Sequence, residues 1–313
     1  MNPDASLKII FMGTPEFAVP ALEHLHESGH QVLAVVTVPD RVQGRGRKAR
    51  PSAVKQTAEA LGLPIIQPEN LKAPEFLQDI TDLKPDLIVV VAFQILPEAI
   101  FTLPPFGSFN LHASLLPRYR GAAPIHWALL NGDQETGVTT FFLKRRVDTG
   151  NIIFQSKTAI DPEDTLETLY AKLRDLGAKL VLKTVDQIAN GSVEEESQDN
   201  TLATPAPKVD ASTQMLDFNQ TAGECHNRIR AFSPKPGAFT LRSGARLKLI
   251  NSGVTDQSGE PGEVIDISKD AFTLACGVGA LVVFNVQPES KKVMPADAYL
   301  RGHPLKIGDR LGH

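Results

Sequence analysis

Asn110 and His112 form a pattern that could perform chemistry, and Asp148 follows on a separate segment. On an extended strand, residues i and i+2 point to the same side, so the amide and the imidazole would face one site. The amide can donate a hydrogen bond to a developing oxyanion, and the imidazole can donate one or move a proton. A carboxylate from another loop can orient the imidazole or handle a second proton. The pattern therefore predicts acyl-type transfer without a metal.

Two other kinds of site would use some of the same residues. A metal site could be assembled from His112, His126 and Asp148, but their spacing matches no metal-binding motif. A serine hydrolase would use Ser114 as its nucleophile, but Ser114 is not flanked by glycines as in a nucleophile elbow. Taken singly, each of these residues could also be a cap or a surface polar group.

The segment 39–51, PDRVQGRGRKARP, is a second candidate site because it concentrates positive charge. It has one acid, Asp40, and two glycines that keep it flexible. Its cations are Arg41, Arg45, Arg47, Lys48 and Arg50. A solvated basic loop is the plain alternative, but the chain as a whole carries an acidic net charge of −4. Because arginine binds phosphates bidentately and stacks on bases, the segment is predicted to contact RNA.

Alternating apolar runs and amphipathic segments must position these residues. Strands are predicted over 7–12, 31–38, 64–67, 86–92, 107–111, 138–143 and 152–159. Helices are predicted over 14–28, 52–61, 74–83 and 165–189, the first of them capped by Thr14. This alternation predicts an α/β fold, a Rossmann-like, doubly wound, mostly parallel sheet with helices on both faces. Ligands bind beyond the carboxyl ends of strands in such sheets, where Asn110 and His112 are expected.

Composition changes after residue 190. The segment 191–208 is polar and contains prolines, which favours a linker. Beyond it, a helix is predicted over 221–232, and short strands punctuated by glycines over 237–242, 246–252, 261–267, 271–275 and 280–286. Many short strands with frequent turns predict a small β-barrel of the oligonucleotide-binding (OB) type. The predicted domains are 1–190, with the candidate site, and 209–313, joined by the linker 191–208.

The chain as a whole excludes several classes of protein. Its 313 residues are 42% hydrophobic and 22% charged, which is typical of a globular protein. Cys225 and Cys276 lack CxxC spacing, which argues against a zinc site or a disulfide framework and fits a reduced, cytoplasmic setting. No segment approaches the roughly 18 apolar residues of a membrane span. The turn at Gly13 lacks the three glycines of a dinucleotide fingerprint, which excludes a dehydrogenase.

The sequence resembles the bacterial methionyl-tRNA formyltransferases over essentially its whole length. The segment 108–139, SFNLHASLLPRYRGAAPIHWALLNGDQETGVT, is similar to the signature of formyltransferases that use 10-formyltetrahydrofolate, and the DTG at 148–150 completes it. The segments that resemble the tRNA-acting branch are 9–22, 39–55, 230–240 and 302–312.

The resemblance implies an enzyme that transfers a formyl group from 10-formyltetrahydrofolate to the amino group of methionyl initiator tRNA, giving N-formylmethionyl-tRNA for translation initiation. It implies catalytic roles for Asn110, His112 and Asp148, no metal, and a tRNA-binding C-terminal domain. The basic segment would reach the tRNA acceptor stem, with Arg45 foremost. The residues implied to bind the folate are Phe93, Gln94, Ile95, Leu96, Ser114, Leu115, Leu116 and Pro117. We further expect a cytoplasmic monomer that does not bind membranes.

Two stretches depart from the family pattern. Relatives commonly read Ala-Tyr-Gly and one residue more before Leu-Pro, where this chain has AFQI at 92–95. The cations Lys144, Arg145 and Arg146 precede Asp148, and they could bind tRNA or the glutamate tail of the folate. Other folate-dependent formyltransferases act on glycinamide ribonucleotide or amino sugars, or hydrolyse the donor, and they share the catalytic set. A non-catalytic RNA-binding module is a further alternative. The basic segment and the C-terminal domain favour tRNA.

Overall fold

The computed structural model describes residues 6–43 and 48–312, without the side chains of residues 41–43, 48 and 49. The chain divides into two compact units. Unit 1 comprises Met1–Gly121, Thr136–Thr158 and Tyr170–Pro205. Unit 2 comprises Ala122–Glu135, Ala159–Leu169 and Ala206–His313.

Strands and helices alternate in the first half of the chain, and strands dominate the second. The strands are β1 (Lys8–Gly13), β2 (Gln31–Val36), β3 (Arg41–Gln43), β4 (Lys48–Arg50), β5 (Ile65–Ile66), β6 (Leu87–Val91), β7 (Ser108–His112), β8 (Arg120–Gly121), β9 (Glu135–Phe142), β10 (Ile152–Ala159), β11 (Pro205–Ala206), β12 (Ala238–Arg242), β13 (Ala245–Thr255), β14 (Val264–Ile267), β15 (Phe272–Ala275), β16 (Ala280–Pro288) and β17 (Met294–Pro295). The helices are α1 (Val19–Glu27), α2 (Ala53–Ala60), α3 (Pro74–Leu83), α4 (Glu98–Phe101), α5 (Pro124–Leu130), α6 (Leu166–Ala189), α7 (Ala211–Gln214), α8 (Ala222–Phe232) and α9 (Ala296–Gly302).

The described residues of unit 1 form a seven-stranded sheet in the order β10-β9-β7-β6-β1-β2-β5. The neighbours from β5 to β7 pair in parallel, and β9 joins β7 antiparallel. Every residue of β6, LIVVV, is buried, as expected for a central parallel strand covered on both faces. The predicted mostly parallel α/β sheet is confirmed, and β7, the neighbour of the central strand β6, carries Asn110 and ends at His112.

The first helix begins later than the sequence predicts. Helix α1 begins at Val19 with Pro20 in its first turn, after a 3-10 turn over Glu16–Ala18. Thr14 does not cap it, so that part of the prediction is wrong. Pro15 is extended, with ψ of 173°, and it begins the 3-10 turn that separates Thr14 from the helix.

Unit 2 is built on an antiparallel sheet in the order β12-β13-β16-β15-β14, and β17 pairs with β16. Helix α8 begins with a capping box, in which Thr221 Oγ1 accepts from the Glu224 N–H and Glu224 Oε2 accepts from the Thr221 N–H. This β-rich unit follows the sequence pattern, while closure into an OB-type barrel stays a prediction. Both cysteines are free and buried here. Across residues 6–43 and 48–312, no helix is long and apolar enough to cross a membrane.

Candidate active site

The carboxyl end of β7 brings the candidate amide and imidazole together. Asn110 lies between Val90 on β6 and Phe141 on β9, and His112 lies opposite Thr139. Asn110 is half-buried, whereas His112 is 6% exposed. The two side chains leave the same face of the strand, as their spacing predicts.

Each nitrogen of the His112 ring has a different neighbour. Nε2 lies 2.8 Å from the main-chain oxygen of Tyr119, and because a carbonyl only accepts, Nε2 is the donor. Nδ1 lies 3.8 Å from Oδ2 of Asp148. In the neutral ring, Nδ1 is therefore the nitrogen that can take up a proton, and it faces a carboxylate. The structure thus brings His112 and Asp148 together as a proton-handling pair.

Two glycines shape the backbone that presents the Asp148 carboxylate. Asp148 itself adopts a left-handed conformation, with φ of 53°, and is 9% exposed. Its Oδ2 accepts a hydrogen bond of 2.8 Å from the N–H of Gly121, whose φ of 128° is rarely open to other residues. A Cβ at Gly150 would collide with the carbonyl oxygen of Phe142. Backbone geometry therefore accounts for glycine at position 150, which ends the DTG run, and at position 121, which follows Arg120.

A third segment, 196–204, supports these two loops, and sequence reasoning missed it. The N–H of Tyr119 donates to Thr204 Oγ1 at 2.8 Å, and the N–H of Arg120 donates to the Thr204 carbonyl at 2.9 Å. Gln198 hydrogen bonds to the main chain of the Asp148 loop and to Arg120. No sequence signal marks these contacts, because the segment has only a polar composition and Gln198 lies fifty residues from Asp148.

The implied folate-binding run 93–96 follows β6 directly. Phe93 and the buried Leu96 pack against the core under the sheet, whereas Gln94 is exposed and Ile95 is 76% exposed. Leu143 packs against the same cluster. Ile95 thus leaves an apolar side chain exposed after the carboxyl end of β6.

The second implied run, 114–117, is a tight turn. The Ser114 hydroxyl donates to the carbonyl of Arg118 at 2.7 Å, so it holds the turn and does not meet a histidine base. Leu116 is buried against a cluster that Leu143 also joins, so both runs share one apolar neighbour. Leu115 and Pro117 are half-buried, and the bond between residues 116 and 117 is cis.

The basic segment is a hairpin in its described part. Strands β3 and β4 pair antiparallel, and Arg50 is exposed. Arg45 and Arg47 lie outside the described residues, as do the side chains of Arg41 and Lys48. At the base of the segment, the Thr37 and Ser52 hydroxyl oxygens lie 2.7 Å apart and hold its ends together.

The acid of this segment is neutralised from outside it. Asp40 accepts from Lys55 Nζ at 2.8 Å and from Gln67 Nε2 at 2.9 Å. These two hydrogen bonds lower the pKa of the Asp40 carboxyl below its usual value. Lys55, which lies outside the segment, therefore balances the charge of Asp40.

The three cations before Asp148 have separate surroundings. Lys144 donates to the Asn151 side chain at 2.7 Å, and Arg145 pairs with Glu98 at 2.6 Å. Arg146 is exposed beside Arg120. Burial, and to a smaller extent the charge of Arg146, lower the pKa of Arg120. Lys144 and Arg145 therefore stabilise the loop that carries Asp148 in addition to any ligand contact.

The metal alternative draws on a histidine with a different environment. His126 lies in unit 2, where its ring packs against Phe232 at 5.4 Å between centroids and burial lowers its pKa. In the part of the chain that the structure describes, no three His, Cys, Asp or Glu side chains are grouped as metal ligands. His126 is a partly buried residue that packs within unit 2.

Comparison with known proteins decides the family. Residues 7–185 match the family described as Formyl transferase, and residues 208–304 match Formyl transferase, C-terminal domain. The methionyl-tRNA formyltransferase of Moorella thermoacetica is 48% identical over 309 residues, covering 98% of this chain and 99% of the relative. The chain belongs to the methionyl-tRNA formyltransferase family. A second family member, from Geobacter metallireducens, is 44% identical over 310 residues, covering 99% of this chain and 100% of the relative.

Solved structures confirm the formyltransferase fold of this family member. The N-formyltransferase from Helicobacter canadensis, in complex with folinic acid and dTDP-3-aminofucose, superposes with a TM-score of 0.70 at 24% identity, covering 90% of this chain and 99% of that chain. HypX from Aquifex aeolicus, in complex with tetrahydrofolic acid, superposes with a TM-score of 0.65 at 16% identity, covering 99% and 51%. The predicted resemblance to methionyl-tRNA formyltransferases and the predicted enzyme class are both confirmed.

Proposed function

We propose that Asn110, His112 and Asp148 transfer the formyl group of 10-formyltetrahydrofolate to the amino group of methionyl initiator tRNA. Formyl transfer to methionyl-tRNA for translation initiation is the reaction of the family to which the chain belongs. The proposal adds the residues, the donor and the choice of initiator tRNA. The observation that supports it is a buried histidine whose Nδ1 faces a buried carboxylate at 3.8 Å, two residues after an amide on one strand.

The His112–Asp148 pair fits the proton balance of the reaction. The attacking nitrogen loses a proton as the new C–N bond forms, and the folate nitrogen gains one as the old C–N bond breaks. His112 Nδ1 can take up that proton, with Asp148 stabilising the imidazolium, and can return it. Because Nε2 keeps its hydrogen in both states, the Tyr119 carbonyl holds the ring in one orientation throughout.

Asn110 supplies a donor that the neutral His112 ring lacks. The Nε2 hydrogen is bonded to Tyr119, and the neutral Nδ1 carries no hydrogen, so the ring can donate to an oxyanion only as imidazolium. The amide of Asn110 can donate in either state. We therefore assign the first stabilisation of negative charge on the formyl oxygen to Asn110 and its reinforcement to His112.

The residues of the two implied runs fit a folate. Apolar Phe93, Ile95 and Leu96 can contact its aromatic ring system, and the turn held by Ser114 shares the neighbour Leu143 with them. The folate supplies the activated one-carbon unit. We propose that Phe93–Leu96 and residues 114–117 form its site, with Ser114 acting through the turn.

The basic hairpin is the proposed contact for the acceptor end of the tRNA. Its contacting residues would be Arg41, Arg45, Arg47, Lys48 and Arg50. Support comes from the exposure of Arg50 and from the ion pair of Asp40 with Lys55, which balances the acid of the segment from outside it. Arginine side chains bind phosphates bidentately, so this contact should weaken with salt.

The remaining assignments concern the whole chain. We propose that residues 1–190 carry the chemistry and that residues 209–313, an OB-like domain, bind the body of the tRNA through phosphate contacts. The intervening residues 191–208 join them. Because its acceptor is a charged tRNA, we place the enzyme in the cytoplasm, and we expect a monomer.

The test is formyl transfer from 10-formyltetrahydrofolate to methionyl initiator tRNA, methionyl elongator tRNA and glycinamide ribonucleotide, each assayed separately at two salt concentrations. We expect transfer confined to the initiator, with KM for the tRNA rising steeply with salt and KM for the folate changing little. Transfer to the elongator at an equal rate would contradict initiator selection. Equal salt effects on both KM values would contradict the electrostatic role of the hairpin.

A further inference from the structure

The Gln198 side chain connects two loops of the site, the Asp148–Gly150 turn and the loop that contains Arg120. Its Nε2 donates to the carbonyl of Asp148 at 3.0 Å and to the carbonyl of Gly150 at 2.7 Å. Its Oε1 accepts from Nε and Nη2 of Arg120 at 3.1 and 2.6 Å. Since Arg120 only donates and carbonyls only accept, the orientation of this amide is fixed by its partners. One side chain thus holds both ends of the Asp148–Gly150 turn.

This turn needs support because of its conformation. A left-handed φ of 53° is unfavourable for an aspartate, and such conformations persist only where the surroundings fix them. The Asp148 carboxylate is held by a single described main-chain donor, the N–H of Gly121. Gly121 follows Arg120 directly, so Gln198 holds one side of the carboxylate contact through the main chain of Asp148 and Gly150 and the other side through the Arg120 guanidinium.

The main chain on both sides of Gln198 is hydrogen-bonded to other segments of unit 1. Glu196 forms two main-chain hydrogen bonds with Ile152, of 2.7 and 2.9 Å, next to the Asp148 loop. Thr204 bonds to Tyr119 and Arg120 at the other end of the segment. These hydrogen bonds hold the main chain of Gln198 in place, and its side chain in turn holds the Asp148–Gly150 turn.

We propose that Gln198 is a positioning residue for formyl transfer, which fixes the Asp148 carboxylate opposite Nδ1 of His112. The inference rests on the proposed role of Asp148. Gln198 touches neither substrate, so its loss lowers kcat by about 10- to 100-fold, the usual cost of misplacing a catalytic group by about 1 Å. KM for the folate and for the charged tRNA changes less than about threefold, because Gln198→Ala removes no contact that binds either substrate in its ground state.

Two substitutions separate the contacts of this amide. Gln198→Ala removes all of them. Gln198→Glu keeps an acceptor for Arg120 but places an oxygen against the carbonyls of Asp148 and Gly150. If the contact with the Asp148 loop matters, this variant loses as much kcat as Gln198→Ala. Full activity of Gln198→Glu would show that the residue only holds Arg120 and would overturn the inference. If Gln198→Ala does not fold, Gln198→Glu by itself is sufficient to test the inference.

A double-mutant cycle with Asp148→Asn distinguishes positioning from a general structural effect. If Gln198 acts through the Asp148 carboxylate, Gln198→Ala costs less than about twofold in the Asp148→Asn background. The full single-mutant loss in that background would overturn the inference. Gln187→Ala is the matched control, because this glutamine also accepts a side-chain hydrogen bond, from Ser192, and lies outside the site. Its kcat should stay within twofold of the wild type.

The single variants also separate this inference from the proposed function. Full activity of Asp148→Asn would contradict the proposed catalytic set itself. An Asp148→Asn variant that is slow, together with a Gln198→Ala variant that is as fast as the wild type, would overturn only the role of Gln198. Steady-state assays with 10-formyltetrahydrofolate and methionyl initiator tRNA give kcat and KM for each variant, and single-turnover rates give the loss in the transfer step itself.

Discussion

Two histidine–carboxylate pairs lie at opposite edges of the sheet in unit 1. His30 immediately precedes β2 at the amino edge, and its Nε2 lies 3.0 Å from Oδ1 of Asp186. His112 ends β7 at the carboxyl edge, where its Nδ1 lies 3.8 Å from Oδ2 of Asp148. The imidazole is buried in both pairs, and distance alone would favour His30 as the reactive residue.

The hydrogen bonds of the second ring nitrogen favour His112 instead as the reactive residue. His30 Nδ1 accepts a hydrogen bond from the N–H of Leu7 at 3.2 Å, so its Nε2 carries the hydrogen and both nitrogens are committed. His112 commits only Nε2, to a carbonyl, and keeps Nδ1 for a proton. The carboxylates differ as well, since the Asp186 side chain is 51% exposed and that of Asp148 is 10% exposed. A buried carboxylate facing an uncommitted nitrogen, rather than a short distance, distinguishes the site.

The largest expected effect comes from replacing each histidine by asparagine. His112→Asn removes the proton carrier and should lower kcat by about 10³-fold, within the range usual for a general acid–base. His30→Asn should leave kcat within about twofold and lower the free energy of unfolding instead, because asparagine is too short to replace the Nε2–H that bonds to Asp186 and leaves part of the buried ring's space empty. Formyl-transfer kinetics and urea unfolding of both variants measure this difference. Equal losses of kcat in His112→Asn and His30→Asn would show that the hydrogen bonds of the two rings do not determine which histidine takes part in formyl transfer.

A smaller loss is expected at the amide beside His112. Asn110→Ala should lower kcat about a hundredfold with little change in either KM, since an oxyanion donor acts mainly in the transition state. Asn70→Ala is the matched control, because Asn70 is exposed and accepts a hydrogen bond from the Lys72 N–H. A variant at 110 with wild-type kcat and only a raised KM would assign Asn110 to binding alone.

The same comparison shows how far the sequence alone predicts the site. Spacing on one strand was enough to place Asn110 and His112 together, because strand periodicity is local. Asp148 was expected nearby, but its left-handed turn and its hydrogen bond from Gly121 depend on two loops that meet only in the fold. Gln198 carried no signal at all. Likewise, Thr14 fits a helix cap by residue type, whereas the structure places a 3-10 turn between it and α1.

The smallest expected effect tests the claim that an exposed carboxylate does not make a reactive pair. Asp186→Asn keeps an acceptor for His30 Nε2, and a hydrogen bond to a carboxylate that is 51% exposed contributes little, so the free energy of unfolding should fall by less than about 1 kcal/mol. Since kcat should stay within twofold, this variant contrasts with Asp148→Asn, in which the neutral amide no longer stabilises an imidazolium. Urea unfolding and single-turnover rates measure the two quantities. A large loss of kcat in Asp186→Asn would mean that the amino edge of the sheet is coupled to the site, because no described contact of Asp186 reaches β7 directly.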